Sequence, residues 1–421
     1  MKNKKNKLLK EALLISSLIL TSCGNKSSVD YAVPTPVFEE IIDNTFEENE
    51  TTIEVVETPV EEVIEEEPVI PENEHVDLLM IGDVLVHKPV YTSGIKEDGT
   101  LNYDHLFMNI QEDLNDAEIK IVNQETILGG SELGFSSYPC FNSPQEIGIS
   151  EVNAGFNYIL HATNHAMDKG FKAIDNTINF WNNYPEITML GLNTSDEEQE
   201  VIHTYTQNGL TIALLNYTYG TNGIPLPSDK PYLVNLLDEE KVTRDILKAK
   251  EIADFVIVLP HWGTEYRYVP DSLQEKYTKL FSDLGVDLVI GTHPHVLENI
   301  EVITNDEGHE MLVYYSLGNY VSGQLAKDRV VGGMAKVSIE KDYETNETFI
   351  TEYELDPIIT QQGEYTTYKL EDYNDTLASE NNIKKQSGCS NFDMNYINNL
   401  CTEILGEDFD KQEEKVRVKL K

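Results

Sequence analysis

Positive charge is scarce in this chain. Its 421 residues include 31 lysines and arginines against 74 aspartates and glutamates, for a formal net charge of −43. A protein that binds nucleic acid needs clustered cations that displace counterions from the phosphate backbone, and no segment here supplies them. We therefore expect no nucleic-acid partner. Hydrophobic residues still make up 40% of the chain, which is enough for a substantial buried core.

Cysteine is also scarce. The four cysteines include no CxxC pair, so a structural thiolate metal site is not expected. In an extracytoplasmic setting Cys389 and Cys401 could pair across a short loop, which would leave Cys140 single. The sequence does not decide between this pairing and free thiols.

The apolar run near the start of the chain is short. Residues 1–22 contain five lysines and one acid, and the run Ala12 to Leu20 falls short of the ~20 residues of a membrane-spanning helix. This pattern predicts a secretory signal over residues 1–22. The segment Leu20-Thr21-Ser22-Cys23-Gly24 resembles the lipobox of bacterial lipoproteins. The resemblance implies that Cys23 is lipidated and tethers the protein outside the cytoplasmic membrane; the alternative is an ordinary thiol.

An acidic segment follows. Residues 27–75 contain 16 acidic residues, no lysine or arginine, and five prolines. Such a segment repels itself and buries little apolar surface, so we predict a disordered linker over residues 23–75. An alternative is a segment that docks on a basic partner or binds cations. A net charge of −32 remains for residues 76–421.

From residue 76 onward, short apolar runs alternate with amphipathic stretches. The β-like runs cover residues 76–81, 119–122, 158–160, 210–215, 255–259, 286–290 and 311–315, and the helical stretches lie near 171–181, 241–253 and 273–284. This alternation predicts an α/β domain, which we place at residues 76–362. Residues 363–421 form a C-terminal extension whose helix, near 391–405, is expected to pack on the domain.

Polar side chains follow these predicted strands. Eight metal-capable residues lie where a strand ends: Asp83, His87, Glu125, Asn164, His165, His261, His293 and His295. The carboxyl ends of strands in α/β sheets converge on one crevice, so we expect these side chains to lie together. A single histidine is usually structural, but eight such residues in equivalent places favour a site. Imidazole, carboxylate and carboxamide ligands suit Zn, Mn or Fe, and the set is large enough for two divalent cations bridged by one carboxylate.

Six motifs in order carry a resemblance to a known family. They are Gly82-Asp83-Val84-Leu85-Val86-His87, Asn123-Gln124-Glu125, Thr163-Asn164-His165-Ala166-Met167-Asp168, His261-Trp262-Gly263-Thr264-Glu265-Tyr266, Gly291-Thr292-His293-Pro294-His295-Val296 and Tyr315-Ser316-Leu317-Gly318-Asn319-Tyr320. Together they resemble the CapA family of bacterial capsule (poly-γ-glutamate) synthesis proteins, within the calcineurin-like metallophosphatase superfamily. The resemblance implies a four-layer αββα sandwich with a metal site at one edge of the paired sheets.

The resemblance also implies roles for individual residues. Asp83 and His87 would bind the first metal, Glu125 would bridge, Asn164 and His261 would bind the second metal, and His293 and His295 would divide between the two. His165 would be the general acid or a transition-state cation near the leaving group. Asp168 would either orient His165 or act as a helix N-terminal acid.

The chain departs from the phosphatase superfamily at two places. Three residues rather than one separate Asp83 from His87, and Asn123-Gln124-Glu125 replaces the usual bridging aspartate. Hydrolysis therefore does not follow from the fold.

Residues beside the motifs are candidates for substrate binding. Arg267 is placed to pair with a carboxylate or phosphate, and the Asn319 loop to line the crevice. Trp262 would either form an aromatic wall of the pocket or pack in the core.

Two functions of different class follow. In the first, the protein is a metal-dependent hydrolase or transferase that acts on an anionic surface polymer or its phosphorylated precursor. In the second, it is an inactive accessory or polymer-binding subunit of a capsule synthesis or export complex. A sugar- or peptide-binding lipoprotein of a transporter is a weaker third alternative, because it would need two similar lobes around a hinge.

Overall fold

The computed structural model describes residues 73–420. The predicted signal, Cys23 and nearly all of the predicted linker lie outside these residues. The first strand begins at Glu74, two residues before the expected start of the domain. Within the described residues, no helix combines the length and apolar character needed to span a bilayer.

The described chain folds into sixteen strands and nine α-helices. The strands are β1 Glu74–Leu85, β2 Ile119–Asn123, β3 Tyr158–Leu160, β4 Thr188–Leu190, β5 His203–Gln207, β6 Leu210–Thr218, β7 Phe255–His261, β8 Leu288–Ile290, β9 Ile300–Thr304, β10 Glu310–Tyr314, β11 Asn319–Ser322, β12 Val331–Asp342, β13 Glu347–Gln361, β14 Thr366–Lys369, β15 Phe409–Asp410 and β16 Lys415–Lys419. The helices are α1 Lys88–Ser93, α2 Gln111–Asn115, α3 Glu146–Ala154, α4 Gly170–Trp181, α5 Asp196–Gln199, α6 Glu239–Ile252, α7 Ser272–Asp283, α8 Asp375–Glu380 and α9 Met394–Leu405.

The strands form two sheets. The first has the order β15-β16-β13-β12-β1-β2-β3-β4, with β11 beside β1 and β14 beside β13. The second has the order β5-β6-β7-β8-β10-β9. Strands β1 to β4 are parallel, as are the four central strands of the second sheet. Every apolar run that the sequence analysis assigned to a strand, and each of the three stretches assigned to helices, forms the expected element.

The side chains pack in layers because successive residues of a strand point to opposite faces. Residues such as Leu78 of β1 and Ile257 of β7 belong to a core shared by both sheets. Their neighbours Leu79 and Val258 pack outward, against the helical layers that cover each sheet. The predicted α/β fold class, a four-layer αββα sandwich, is therefore confirmed.

The C-terminal extension joins the first sheet as well as packing on it. Strands β14 and β16 pair with β13, and the buried face of α9, which includes Ile397 and Leu400, belongs to the core between the sheets. Asp393 caps this helix by accepting a hydrogen bond from the backbone N–H of Tyr396. The extension thus contains strands in addition to the helix expected near residues 391–405.

Cys389 and Cys401, both in the C-terminal extension, do not form a disulfide. Cys389 and Cys401 are buried free thiols, and Cys140 is exposed and free. Of the two alternatives that the sequence left open, the structure shows unpaired cysteines.

The carboxyl ends of strands from both sheets meet at one edge of the sandwich. Strand β1 continues past Asp83 to Leu85, with a register shift against β11 between Asp83 and Val84. Such irregularities turn a side chain away from its regular direction. Close approach of the backbones requires glycine at Gly82, where a Cβ atom would lie 2.0 Å from the Gly318 carbonyl oxygen.

Candidate metal centre

A cluster of buried carboxylates and imidazoles occupies this edge. Asp83 ends the regular part of β1, Glu125 follows β2, His261 ends β7, and His293 and His295 follow β8. All five side chains are almost completely buried. Their ligand atoms form two groups whose members lie within 4.8 Å of one another: Glu125 with His261 and His293, and Asp83 with Glu125 and His295. Glu125 is common to both groups.

Glu125 is the most unusual member of the cluster. Neither of its carboxylate oxygens has a hydrogen-bond partner. Its Oε1 lies 3.8 Å from His261 Nε2 and its Oε2 lies 3.8 Å from His295 Nδ1. Burial raises the pKa of this carboxyl well above its usual value, and the negative charge of Asp83 raises it further. A buried carboxylate that lies between imidazoles and has no hydrogen-bond partner has the chemistry of a cation ligand.

The imidazoles also have the chemistry of ligands. Burial holds the pKa of His261 and of His293 well below the usual value, and neighbouring imidazoles lower both further. Both rings are therefore neutral at physiological pH, as a metal ligand must be. His293 Nδ1 is buried without a partner. Thr292 Oγ1 lies 3.0 Å from His261 Nδ1, which leaves the other ring nitrogen, Nε2, facing Glu125.

Backbone strain is concentrated here. His293 and His295 have φ values of 102° and 61°; Tyr266, whose ring lies near that of His295, has a value of 67°, and Asn222, which contacts His165, has a value of 50°. Residues other than glycine rarely adopt these left-handed conformations, which persist where the surroundings enforce them. The backbone after β8 is therefore held in a conformation that directs both imidazoles to the cluster.

Asn164 and His165 lie at the side of the cluster formed by Glu125 and His261. Asn164 Oδ1 lies 3.1 Å from His261 Nε2, so its carboxamide oxygen faces the same space as Glu125. His165 Nδ1 donates to Asp168 Oδ2 over 2.7 Å, and its Nε2 lies 3.9 Å from Glu125 Oε1. The carboxylate of Asp168 also accepts from the backbone N–H of Phe141, and α4 begins two residues later. Of the two roles considered for Asp168, these contacts match orientation of His165.

The structure does not bring His87 into either group. It lies two residues beyond the end of β1, because the strand continues past Asp83. Its Nδ1 lies 3.3 Å from both the Leu85 carbonyl oxygen and the Gly323 N–H nitrogen. Burial lowers its pKa to about 4. His87 therefore packs against the ring of Phe141 rather than contacting the carboxylates of the cluster.

Two of the three residues expected to bind substrate are buried and do not line a crevice. Trp262 is fully buried, donates to the Tyr315 carbonyl oxygen and stacks on Phe281 under α7, so it is a core residue and not a pocket wall. Asn319 is also fully buried; its Oδ1 lies 3.1 Å from His295 Nδ1, and it therefore holds this imidazole rather than lining the crevice. Arg267 is exposed, as expected of a residue available to a ligand.

Sequence reasoning missed three contributors. Asn123 is fully buried and donates to Asp83 Oδ1 over 2.7 Å, although the sequence analysis treated it only as part of a motif. Asn222 lies 3.3 Å from Asn164 and 3.4 Å from His165 Nδ1, in a loop with no motif that points to it. Arg329 lies beside Tyr266, 3.4 Å from its ring centre. Its only sequence signal is the scarcity of arginine in the chain.

Comparison with solved structures finds matches at low sequence identity. A calcineurin-like phosphoesterase from Bacillus subtilis matches with a TM-score of 0.42 and 16% identity, over 77% of this chain and 99% of that one. An NAD nucleotidase from Haemophilus influenzae matches with a TM-score of 0.43 and 13% identity, over 75% of this chain and 63% of that one.

Sequence comparison identifies closer relatives. The PGA biosynthesis protein CapA of Bacillus subtilis is 34% identical over 180 residues, 40% of this chain and 43% of that protein. The capsule biosynthesis protein CapA of Bacillus anthracis is 27% identical over 262 residues, 60% of this chain and 61% of that protein. The matched region thus spans less than two thirds of either relative. The model of the bacterial capsule synthesis protein family PGA_cap matches residues 77–324, which include every residue of the cluster. The chain therefore belongs to the bacterial capsule synthesis protein family PGA_cap.

Proposed function

We propose that this protein acts outside the cytoplasmic membrane in the synthesis or export of an anionic capsule polymer of the poly-γ-glutamate type, with a two-cation centre that supports a hydrolase-like reaction. Support for the pathway comes from membership of the family and from two relatives named for capsule and PGA biosynthesis. Support for the location comes from the signal-like N-terminus and Cys23. The observation that carries the centre is that two metal-capable groups share Glu125.

The donor set fits two divalent cations. Asp83, Glu125 and His295 would hold the first cation, and Glu125, His261 and His293 the second, with the Asn164 oxygen beside it. Asn123 donates to Asp83 and so fixes the orientation of that carboxylate. Nitrogen and oxygen ligands of this kind suit Mn, Zn or Fe. When bound, such a pair activates water and stabilises negative charge on a phosphoryl or carbonyl oxygen.

The chain's own residues would position the substrate and move the proton. Because His165 Nδ1 donates to Asp168, a neutral His165 has its proton at Nδ1; the imidazolium form, paired with the Asp168 carboxylate, also carries a proton at Nε2, which faces the cluster. His165 would donate this proton to the leaving group. Asn222 lies beside both His165 and Asn164 and limits the rotation of these side chains. The chemistry suits an acyl or phosphoryl centre in the polymer or its phosphorylated precursor.

Metal analysis of purified protein tests the centre. Wild type is expected to bind two divalent cations per chain at neutral pH, and Glu125→Gln is expected to lose both because the carboxylate is shared. Asp83→Asn is expected to weaken one site. Glu151→Gln is the matched control, because Glu151 is also fully buried with both oxygens unpartnered but lies outside the cluster. It should retain two cations.

Turnover is measured on the same proteins with a phosphodiester reporter and with poly-γ-glutamate. Hydrolysis of either substrate by wild type and Glu151→Gln, but not by Glu125→Gln, supports the proposal. A wild type without divalent cations contradicts the two-cation centre. Two bound cations without turnover of either substrate contradict hydrolysis and favour the accessory, polymer-binding subunit.

A further inference from the structure

Arginines, whose guanidinium groups can bind an anion, are few in this chain. The chain contains four arginines. Arg244 forms an ion pair with Glu200, and Arg417 forms one with Glu352. Arg267 is exposed near Glu298, where its positive charge opposes the rise in the pKa of that carboxyl. Arg329 remains.

The guanidinium of Arg329 stacks on an aromatic ring but has no carboxylate partner among the described residues. Its central carbon lies 3.4 Å from the centre of the Tyr266 ring, a cation–π contact. Its Nε is buried without a hydrogen-bond partner. Within residues 73–420, no carboxylate forms an ion pair with it. A charged, partly desolvated donor fork without an acceptor is the arrangement that recognises a carboxylate or phosphate.

The segment that carries Arg329 is fixed from several sides. Arg329 lies on the short 3-10 helix Lys327–Val330. Lys327 Nζ donates to Asn391 Oδ1 in the C-terminal extension over 2.6 Å, and Tyr268 donates to Asp328 over 2.8 Å. The backbone carbonyl of Arg329 accepts from the Asn319 carboxamide over 3.0 Å. The extension, in which the sequence shows no site chemistry, thus helps to position this guanidinium.

The same contacts connect Arg329 to the first cation group. The Tyr266 ring lies 6.0 Å from the ring of His295. Gln324 donates to the Tyr266 hydroxyl over 3.4 Å and accepts from Asn319 over 3.1 Å. Asn319 in turn contacts His295 Nδ1. The guanidinium is therefore part of one hydrogen-bonded and stacked assembly with a predicted ligand.

We propose that Arg329, stacked on Tyr266, binds an oxyanion of the substrate beside the first cation group. This inference rests on the proposed function, since it assigns substrate recognition at the same site. The oxyanion is a carboxylate if the substrate is the polymer, or a phosphoryl group if it is a phosphorylated precursor. Both present two oxygens to the planar donor fork of arginine.

Binding measurements on the metal-loaded protein test this site. The probes are a γ-linked glutamate tetrapeptide and inorganic phosphate, titrated by calorimetry at constant ionic strength, with metal content measured on every sample. Arg329→Gln is expected to weaken binding of the recognised probe by about 10- to 100-fold, since it removes charge-assisted hydrogen bonds. Arg329→Lys keeps the charge but loses the fork, and is expected to weaken it by about 3- to 10-fold. Arg244→Gln removes an exposed arginine that pairs with Glu200; it is the control and should bind within about twofold of wild type.

The outcomes separate this inference from the proposed function. Loss of affinity in Arg329→Gln with full metal content supports the site, and the probe that is lost identifies carboxylate or phosphoryl recognition. Equal affinity of wild type and Arg329→Gln for both probes overturns it, as does a metal-loaded wild type that binds neither probe. A wild type without metal overturns the two-cation centre instead; the anion site is then judged by whether Arg329→Gln weakens phosphate binding to the metal-free protein. Arg329→Lys gives the same readout should Arg329→Gln fail to fold.

Discussion

Glu298 is expected to make the stability of this protein depend on pH near neutrality. Its side chain is buried next to the loop that carries His293 and His295, and its Oε2 accepts a hydrogen bond from Gln274 Nε2 over 2.5 Å. Its Oε1 has no partner. Burial raises the pKa of this carboxyl to about 7, against the opposing effects of Gln274 and the charge of Arg267. The folded protein therefore retains a proton that the unfolded chain releases at lower pH.

The sign of the effect follows from this difference. A carboxyl whose pKa is raised on folding contributes stability that is fully present below its unfolded pKa of 4.5 and is lost as pH rises through about 7. The whole shift corresponds to ~3 kcal/mol in the free energy of unfolding. Glu298→Gln is neutral at every pH and still accepts from Gln274. We expect the variant to match wild type near pH 4.5 and to exceed its stability by up to ~3 kcal/mol at pH 8.

Urea unfolding of both proteins from pH 4.5 to 8, at one fixed metal concentration, measures this difference. Groups that titrate identically in the two proteins cancel in the subtraction, so the difference curve reports Glu298. Glu310→Gln, a substitution of an exposed glutamate at the start of β10, is the control and should give a flat curve. A flat curve for Glu298→Gln would refute the reasoning, since it would show that the carboxyl titrates normally in the folded protein.

Three further outcomes are expected. Gly82→Ala should destabilise the protein by about 2 kcal/mol or more in thermal unfolding, because the new Cβ would lie 2.0 Å from a backbone carbonyl oxygen. Asp168→Asn should lower turnover by at least ~10-fold with metal content unchanged, because it removes the carboxylate that pairs with the imidazolium form of His165, the form that carries a proton at Nε2; a parallel loss of metal would contradict this role. Trp262→Phe should cost about 1–3 kcal/mol of stability, through lost packing and the hydrogen bond to Tyr315, and leave KM unchanged. A raised KM would instead support contact with substrate.

The fold could be predicted from the sequence because its elements are locally encoded. The runs at 76–81 and 255–259 are apolar on both faces, as central strands of a covered sheet require, and the stretch 273–284 has helical spacing. The sequence analysis assigned no strand to β4, β5 and β9 or to the six strands from β11 to β16. The short strand β4 and the edge strands β5 and β9 owe their conformation to pairing with a neighbouring strand.

The candidate site was predictable to the extent that it lies directly after strands. Asp83, Glu125, His261, His293 and His295 meet because the carboxyl ends of β1, β2, β7 and β8 meet. The sequence predicted less well which face of the strand end each side chain occupies. A strand end places successive side chains on opposite faces, which puts His261 in the cluster and Trp262 in the core.

Distance along the chain hid the remaining contributors. Arg329 is more than sixty residues from Tyr266, and only the tertiary structure brings its guanidinium over that ring. The sequence favoured Arg267 because it adjoins a motif, and the structure shows this residue exposed. Asn222 lies in a loop and Arg329 on a short 3-10 helix, and the paths of such connecting segments are set by the elements they join rather than by local periodicity.

The charge of the domain bears directly on how it could bind an anionic polymer. A net charge of −32 over residues 76–421 repels polyglutamate and phosphate at long range, but at physiological salt this repulsion is screened beyond about 8 Å. Groups close to the substrate then decide the affinity, and the nearest of them, Asp83 and Glu125, are carboxyl groups. On the proposed function, an anion is therefore bound more tightly once cations have offset the charge of these carboxyl groups. A chelator should then weaken polymer binding more than Arg329→Gln does.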